Sequence, residues 1–231
     1  MTTLTSPIFE IGPKNLLRAA QLRPLAAAAA AAGAAEQVSV IVTVPATEVA
    51  AIKSAHPDLL VFAQHMDPDQ LGPSVGIVTA EALADAGADG VMLNHDARPL
   101  EPSVIERCVR RAAESGLMTM VCAGGLDEAV AIARLHPDIL LYEPPQLIGS
   151  RNTLERPSIH PVNARIAEID DSIKVMHAGG VASPEDAYRI MHAGAEGTGS
   201  TSGVVLAPDP AVAARSFIAA ARRGWQRAQP V

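Results

Sequence analysis

Three side chains able to move protons follow short apolar runs in this chain. Glu143 closes Asp138-Ile139-Leu140-Leu141-Tyr142, His95 closes Met92-Leu93-Asn94, and Lys14 follows Ile8-Phe9-Glu10-Ile11 by way of Gly12-Pro13. An ammonium, an imidazole and a carboxylate suit proton abstraction beside a carbonyl. The carboxylate takes the proton, the imidazole polarises the oxygen and the ammonium offsets the charge that develops. No metal is required. Taken singly, each has a plainer reading: Glu143 as a strand-terminal acid paired with a helix cation, His95 as a hydrogen-bonded strand-end histidine, Lys14 as a solvated surface lysine. Their joint placement favours chemistry, provided that the fold brings them together.

The segment after Glu143 adds to that reading. Pro144-Pro145 fixes the backbone directly behind the acid, and Gln146-Leu147-Ile148-Gly149-Ser150 ends in a flexible pair. This pattern describes a rigidly aimed base beside a movable lid.

The elements that must position these residues alternate. Apolar runs of strand length fall at 7–11, 38–44, 59–63, 90–94, 117–122, 138–142 and 173–177, with a weaker one at 197–204. Helix-patterned segments lie between them, among them Ser103–Ser115, Leu126–Leu135, Pro161–Ile169, Pro184–His192 and Pro210–Arg222. Alternation with short connections implies a parallel sheet, and eight such units in one chain favour closure into a (β/α)8 barrel. Two phrases repeat at the joints. Ala86-Gly87-Ala88-Asp89-Gly90 echoes Ala193-Gly194-Ala195-Glu196-Gly197, and His56-Pro57-Asp58 echoes His136-Pro137-Asp138. Each follows a helical stretch and leads into an apolar run, as a helix stop, a turn and a buried strand require. In such a barrel the C-terminal strand ends share one face, so Lys14, His65, His95 and Glu143 meet at a common mouth. Glycine-rich stretches after the last two strands, Ala178-Gly179-Gly180 and Gly199-Ser200-Thr201-Ser202-Gly203, are either ordinary turns or a cradle of backbone amides for a phosphate.

Composition narrows the function classes. The chain has 231 residues and a formal charge of -7, with its cations scattered, which argues against a nucleic-acid partner. Cys108 and Cys122 are its two cysteines and lack any paired spacing, so no disulfide framework or zinc site is indicated and a reducing, cytoplasmic location is expected. The longest apolar stretch, Leu25 to Ala32, is alanine-rich, helical in pattern and too short to span a bilayer, so no membrane partner is expected. No linker or low-complexity break divides residues 1–231, which are expected to form one domain. No Gly-x-Gly-x-x-Gly follows the first strand to suggest a dinucleotide.

At this level of detail the chain resembles the triosephosphate isomerase family, in its shorter archaeal form. The similarity is carried by Phe62-Ala63-Gln64-His65-Met66-Asp67-Pro68, Leu93-Asn94-His95, Gly116-Leu117-Met118-Thr119-Met120-Val121-Cys122 and Glu143-Pro144-Pro145-Gln146-Leu147-Ile148-Gly149. The resemblance implies a single (β/α)8 TIM barrel in the α/β class. It implies interconversion of glyceraldehyde 3-phosphate and dihydroxyacetone phosphate through an enediolate, without cofactor or metal. Glu143 is then the base, His95 the neutral electrophile and Lys14 the electrostatic stabiliser, the division of roles known for this family at large. Ile148, Gly149 and Ser150 begin a phosphate lid, and Gly180, Thr201 and Ser202 form the static side of the phosphate site. The partners implied are a small phosphorylated sugar and further copies of the chain, as a dimer or tetramer.

The departures from the family are local. Gly12 stands where the family usually has Asn, which costs a side-chain hydrogen bond near the substrate. Asp96-Ala97 replaces Ser-Glu after the histidine, so Asp96 either raises the proton affinity of Glu143 or pairs with Lys14 or Arg98. Arg151 replaces a lid glycine and either binds an anion or lies in solvent. The eighth strand, Gly197-Thr198-Gly199-Ser200-Thr201, is expected to leave space in the barrel. These changes keep two alternatives open: a homologue acting on another phosphorylated sugar or polyol derivative, and a barrel that binds a sugar phosphate without turnover.

Overall fold

A computed structural model of the chain describes residues 4–147 and 158–228. Its strands are β1 (Ile8–Ile11), β2 (Ser39–Val44), β3 (Leu60–Ala63), β4 (Gly90–Leu93), β5 (Met118–Ala123), β6 (Ile139–Tyr142), β7 (Lys174–His177) and β8 (Gly197–Ser200). All pair in parallel in chain order, and β8 returns to β1 with Ile8 opposite Gly197 and Ile11 opposite Ser200, so the sheet is a closed barrel. The helices between them are α1 (Ala19–Glu36), α2 (Ala46–Ala55), α3 (Ala80–Asp85), α4 (Pro102–Glu114), α5 (Leu126–Ala133), α6 (Ile159–Ala167), α7 (Pro184–His192), the short α8 (Ser202–Val205) and α9 (Pro210–Ala228). The (β/α)8 expectation and the strand positions hold. The eighth run is shorter than read from sequence, because Ser202–Val205 turns into helix where an extended strand was expected.

The core lies in two shells. Outward-facing strand residues such as Phe9, Val42 and Val121 pack under the helices, and inward-facing ones such as Ile8, Ile41, Phe62, Met120 and Met176 fill the barrel. Alternation along each strand assigns its residues to one shell or the other. Strand β8 shows what glycine does in such an interior. A Cβ on Gly197 would lie 2.8 Å from Met176 Cγ and 2.9 Å from Ile8 Cβ, and one on Gly199 would lie 2.9 Å from Glu10 Oε2. Side chains from β1 and β7 thus take up the volume beside the small residues of β8 within the barrel, while Gly199 and Ser200 also line the cavity at its mouth.

The repeated joint phrases acquire a common structural meaning. Asp89 Oδ2 accepts the amide of Val61 at 2.8 Å, Asp138 Oδ2 that of Thr119 at 2.7 Å, and Glu196 Oε2 that of Val175 at 3.1 Å. Each acid precedes an even-numbered strand and holds the second residue of the odd-numbered strand beside it. A carboxylate at the joint thus satisfies a strand-start amide at the bottom of the barrel, the end where structural residues gather. Lys53 and Lys174 pair with Asp89 at 2.7 Å and with Glu196 at 2.9 Å.

Candidate active site

The C-terminal strand ends surround a cavity of about 390 Å³ lined by residues on or just after β1 to β4 and β6 to β8, among them Glu10, Gly12, Lys14, Thr43, Gln64, His65, His95, Arg98, Glu143 and Thr201. Lys14, His95 and Glu143, 129 residues apart at the extremes of the sequence, therefore line one space.

Lys14 is held in an unfavourable backbone conformation, with φ at +49°. A side chain with a Cβ rarely adopts that region, and strain of this kind survives only where neighbours enforce it. Gln64, at the end of β3, does so by donating from Nε2 to the Lys14 carbonyl oxygen at 2.6 Å.

His95 is fixed twice over. Asn94, also left-handed at φ +56°, donates from Nδ2 to the Cys122 carbonyl oxygen at 3.0 Å and to Glu128 Oε1 at 2.9 Å. Its Oδ1 accepts the Leu100 amide at 2.9 Å, so one buried amide side chain clamps both ends of the loop that carries the histidine. The Ala97 amide donates to His95 Nδ1 at 2.9 Å. An amide can only donate, so Nδ1 is the unprotonated nitrogen and Nε2 carries the hydrogen. Burial, helped by the Lys14 charge and opposed by Asp96, lowers the pKa of His95 from its ordinary value. The ring is therefore a neutral donor near pH 7, suited to polarise a carbonyl oxygen and to return a proton to it.

Glu143 follows β6, with its amide bonded to the Ala123 carbonyl oxygen at 2.9 Å. A 3-10 turn, Pro145–Leu147, follows after Pro144. Gly179 comes close enough that an added Cβ would sit 3.3 Å from Glu143 Cγ and 3.1 Å from Leu147 Cβ; this residue and Gly180 adopt left-handed φ values of +84° and +67°.

Of the remaining residues singled out from sequence, Gly12, Arg98 and Thr201 line the cavity with the triad. Gly180, in the bend after β7, and Ser202, the first residue of α8, are absent from its wall. Asp96 lines a smaller space of about 190 Å³ on the other side of Glu143, together with Glu128 and Cys122. Arg98 does not pair with Asp96, because its guanidinium lies 3.7 Å from Asp67 Oδ1 instead. Burial raises Asp67, but the Val78 amide and the neighbouring His65 and Arg98 outweigh it and hold the carboxyl below its usual range. Ile148, Gly149, Ser150 and Arg151 lie outside the described residues.

Sequence reasoning missed Glu10. It points inward from the middle of β1, 5% exposed, and its Oε1 accepts the Thr43 hydroxyl at 2.7 Å. Burial raises its pKa from 4.5 to about 7, opposed by the Thr43 hydrogen bond and reinforced by the Glu143 charge. The available signal was its spacing. Ile8, Glu10 and Gly12 alternate along one face, and an acid amid such a face is costly unless it serves the site above it.

Comparison with known proteins follows the same lines. Residues 14–212 match the family model for triosephosphate isomerase. The triosephosphate isomerase of Cenarchaeum symbiosum is 33% identical over 212 residues, covering 90% of this chain and 95% of that protein. The one from Saccharolobus solfataricus is 31% identical over 188 residues, covering 80% and 82%. Among solved structures, the triosephosphate isomerase of Bartonella henselae superposes with a TM-score of 0.73 over 93% of this chain and 98% of its own, at 20% identity, which speaks for the fold.

Proposed function

The chain belongs to the triosephosphate isomerase family, and from that premise we propose that it interconverts glyceraldehyde 3-phosphate and dihydroxyacetone phosphate with Glu143, His95 and Lys14 as its working groups. Glu143 removes the proton from the carbon next to the carbonyl, and the electron pair left behind forms the carbon–carbon double bond of an enediolate. The carbonyl oxygen takes on negative charge and receives the hydrogen of His95 Nε2. Lys14 offsets the accumulating charge of the phosphorylated intermediate. Glu143 then returns its proton to the neighbouring carbon, and the imidazole recovers a proton from the other hydroxyl. The cycle closes with no net proton exchanged and no redox partner.

The observation that carries this reading is the Ala97 amide on His95 Nδ1 at 2.9 Å, because it supplies the neutral donor tautomer that such a reaction uses. The phosphate is assigned to the turns at Gly180, Thr201 and Ser202, with Ile148, Gly149 and Ser150 as the closing side. A homo-oligomer, dimer or tetramer, in the cytoplasm accords with the same reading. Leu71 and Val75, 70% and 95% exposed in the loop after β3, offer apolar surface for such an interface. Light scattering reads the oligomer size. No helix among the described residues is long and apolar enough to cross a membrane.

The decisive experiment follows dihydroxyacetone phosphate in deuterated water by NMR. Carbon-bound deuterium accumulates with the native protein and falls about a hundredfold or more for Glu143→Gln, the scale of a lost general base. Binding without exchange in the native protein would overturn the assignment in favour of a different substrate or a non-catalytic barrel.

A further inference from the structure

The side chain that residue 12 lacks is replaced from below. A Cβ built on Gly12 would lie 2.7 Å from Glu10 Oε1, so the carboxyl group of Glu10 occupies the volume that a larger residue at position 12 would use. On its other flank a Cβ on Gly199 would lie 2.9 Å from Glu10 Oε2. Two glycines, one just after β1 and one on β8, thus leave room for the carboxyl group to rise from the barrel interior to the wall of the cavity. Thr43 on β2 anchors Oε1 at 2.7 Å. Oε2 takes part in no hydrogen bond with the described residues, yet it is not sealed away as an unsatisfied buried atom, so it opens on the cavity.

A buried acid placed in this way, with one oxygen tied and the other turned to the ligand space, is a built contact. We propose that Glu10 is a further substrate-binding residue of this site, its carboxyl group donating a hydrogen bond from Oε2 to a substrate oxygen beneath Lys14. The inference rests on the sugar-phosphate reading above. A carboxylic acid donates only while it is protonated. Burial supports that state by raising the group to about 7, and an anionic ligand alongside raises it further. The charged and titratable groups around it are Lys14 on the loop after β1, Glu143 after β6 and Cys122 on β5, with His65 and His95 on the rim. The neighbouring residues of β2 and β8, Ile41, Thr43 and Gly199, carry no titratable group.

Two variants separate donor from bystander. Glu10→Gln keeps the Thr43 contact and a donor but cannot ionise, whereas Glu10→Ala removes both. Dihydroxyacetone phosphate is titrated by calorimetry into the native protein and each variant at pH 6 and pH 8, and deuterium exchange is followed in parallel. A single cooperative thermal transition in each variant, well above the assay temperature, certifies folding. We expect Glu10→Ala to weaken binding about tenfold at pH 6, the scale of one hydrogen bond. Glu10→Gln should bind like the native protein at pH 6 and several-fold better than it at pH 8. Equal affinities in all three proteins at both pH values overturn the proposal, as does a Glu10→Gln variant as weak as Glu10→Ala. Native protein that binds without exchange sinks the isomerase reading, while these affinities still decide the role of Glu10.

Discussion

The Ala97 backbone amide points at Nδ1 of His95 from 2.9 Å, so the tautomer of the imidazole is set by a group that cannot be mutated away. The contact to the histidine belongs to the backbone and does not depend on the side chain at position 97. Burial and Lys14 lower the ring's pKa, so its NMR titration should have a midpoint below 6.5, with the Nε2-H tautomer above it. His95→Gln should lower the exchange rate on the order of a hundredfold or more. A midpoint above 6.5 would remove the neutral electrophile from the mechanism.

Glu10 makes stability depend on pH in a direction unusual for an acid. Its folded pKa, raised from 4.5 to about 7, means that the folded state holds the proton more tightly than the unfolded one. The stability associated with that proton is fully present below 4.5 and is lost as pH rises through 7. Glu10→Gln has no such loss. Urea unfolding should therefore show the variant gaining on the native protein between pH 5 and pH 8, by up to about 3 kcal/mol. An equal difference at the two pH values would mean that Glu10 titrates normally.

Gly12 and Glu10 should behave as one unit. Gly12→Ala places a methyl group 2.7 Å from Glu10 Oε1 and must push the carboxyl group aside. We expect a several-fold rise in KM for dihydroxyacetone phosphate in the single variant and little further effect of the methyl when Glu10 is already Ala. A four-protein cycle of KM values should give a coupling of about 1 kcal/mol. Strict additivity would show that the two residues do not share the space.

Asp89 predicts a purely structural effect. It holds the Val61 amide and pairs with Lys53, far from the cavity mouth. Asp89→Ala leaves a strand amide and an ammonium without their partner and should cost about 2–3 kcal/mol in urea unfolding, with kcat and KM preserved below the transition. A kcat that falls at unchanged stability would place Asp89 in the chemistry after all.

The amino-acid sequence by itself determined what depends on local pattern. Alternating apolar runs and helical stretches specified eight βα units, and the Ala-Gly-Ala-acid phrases specified where helix gives way to strand. Lys14, His95 and Glu143 were legible because a polar residue just past a buried run needs only chain order to be placed at a strand end. Tertiary structure decided whatever depends on closure of the barrel. That Arg98 turns to Asp67, that Asp96 lies behind Glu143, and that the glycines of β8 are filled by Met176, Ile8 and Glu10 are all matters of which strands become neighbours. Period-2 spacing placed Glu10 on the same face as Gly12, but it could not show Gly199 approaching from 189 residues away to complete its slot. The physical reason is that periodicity encodes the direction of a side chain relative to its own strand, whereas its distance from other strands is set by the stagger at which the sheet closes.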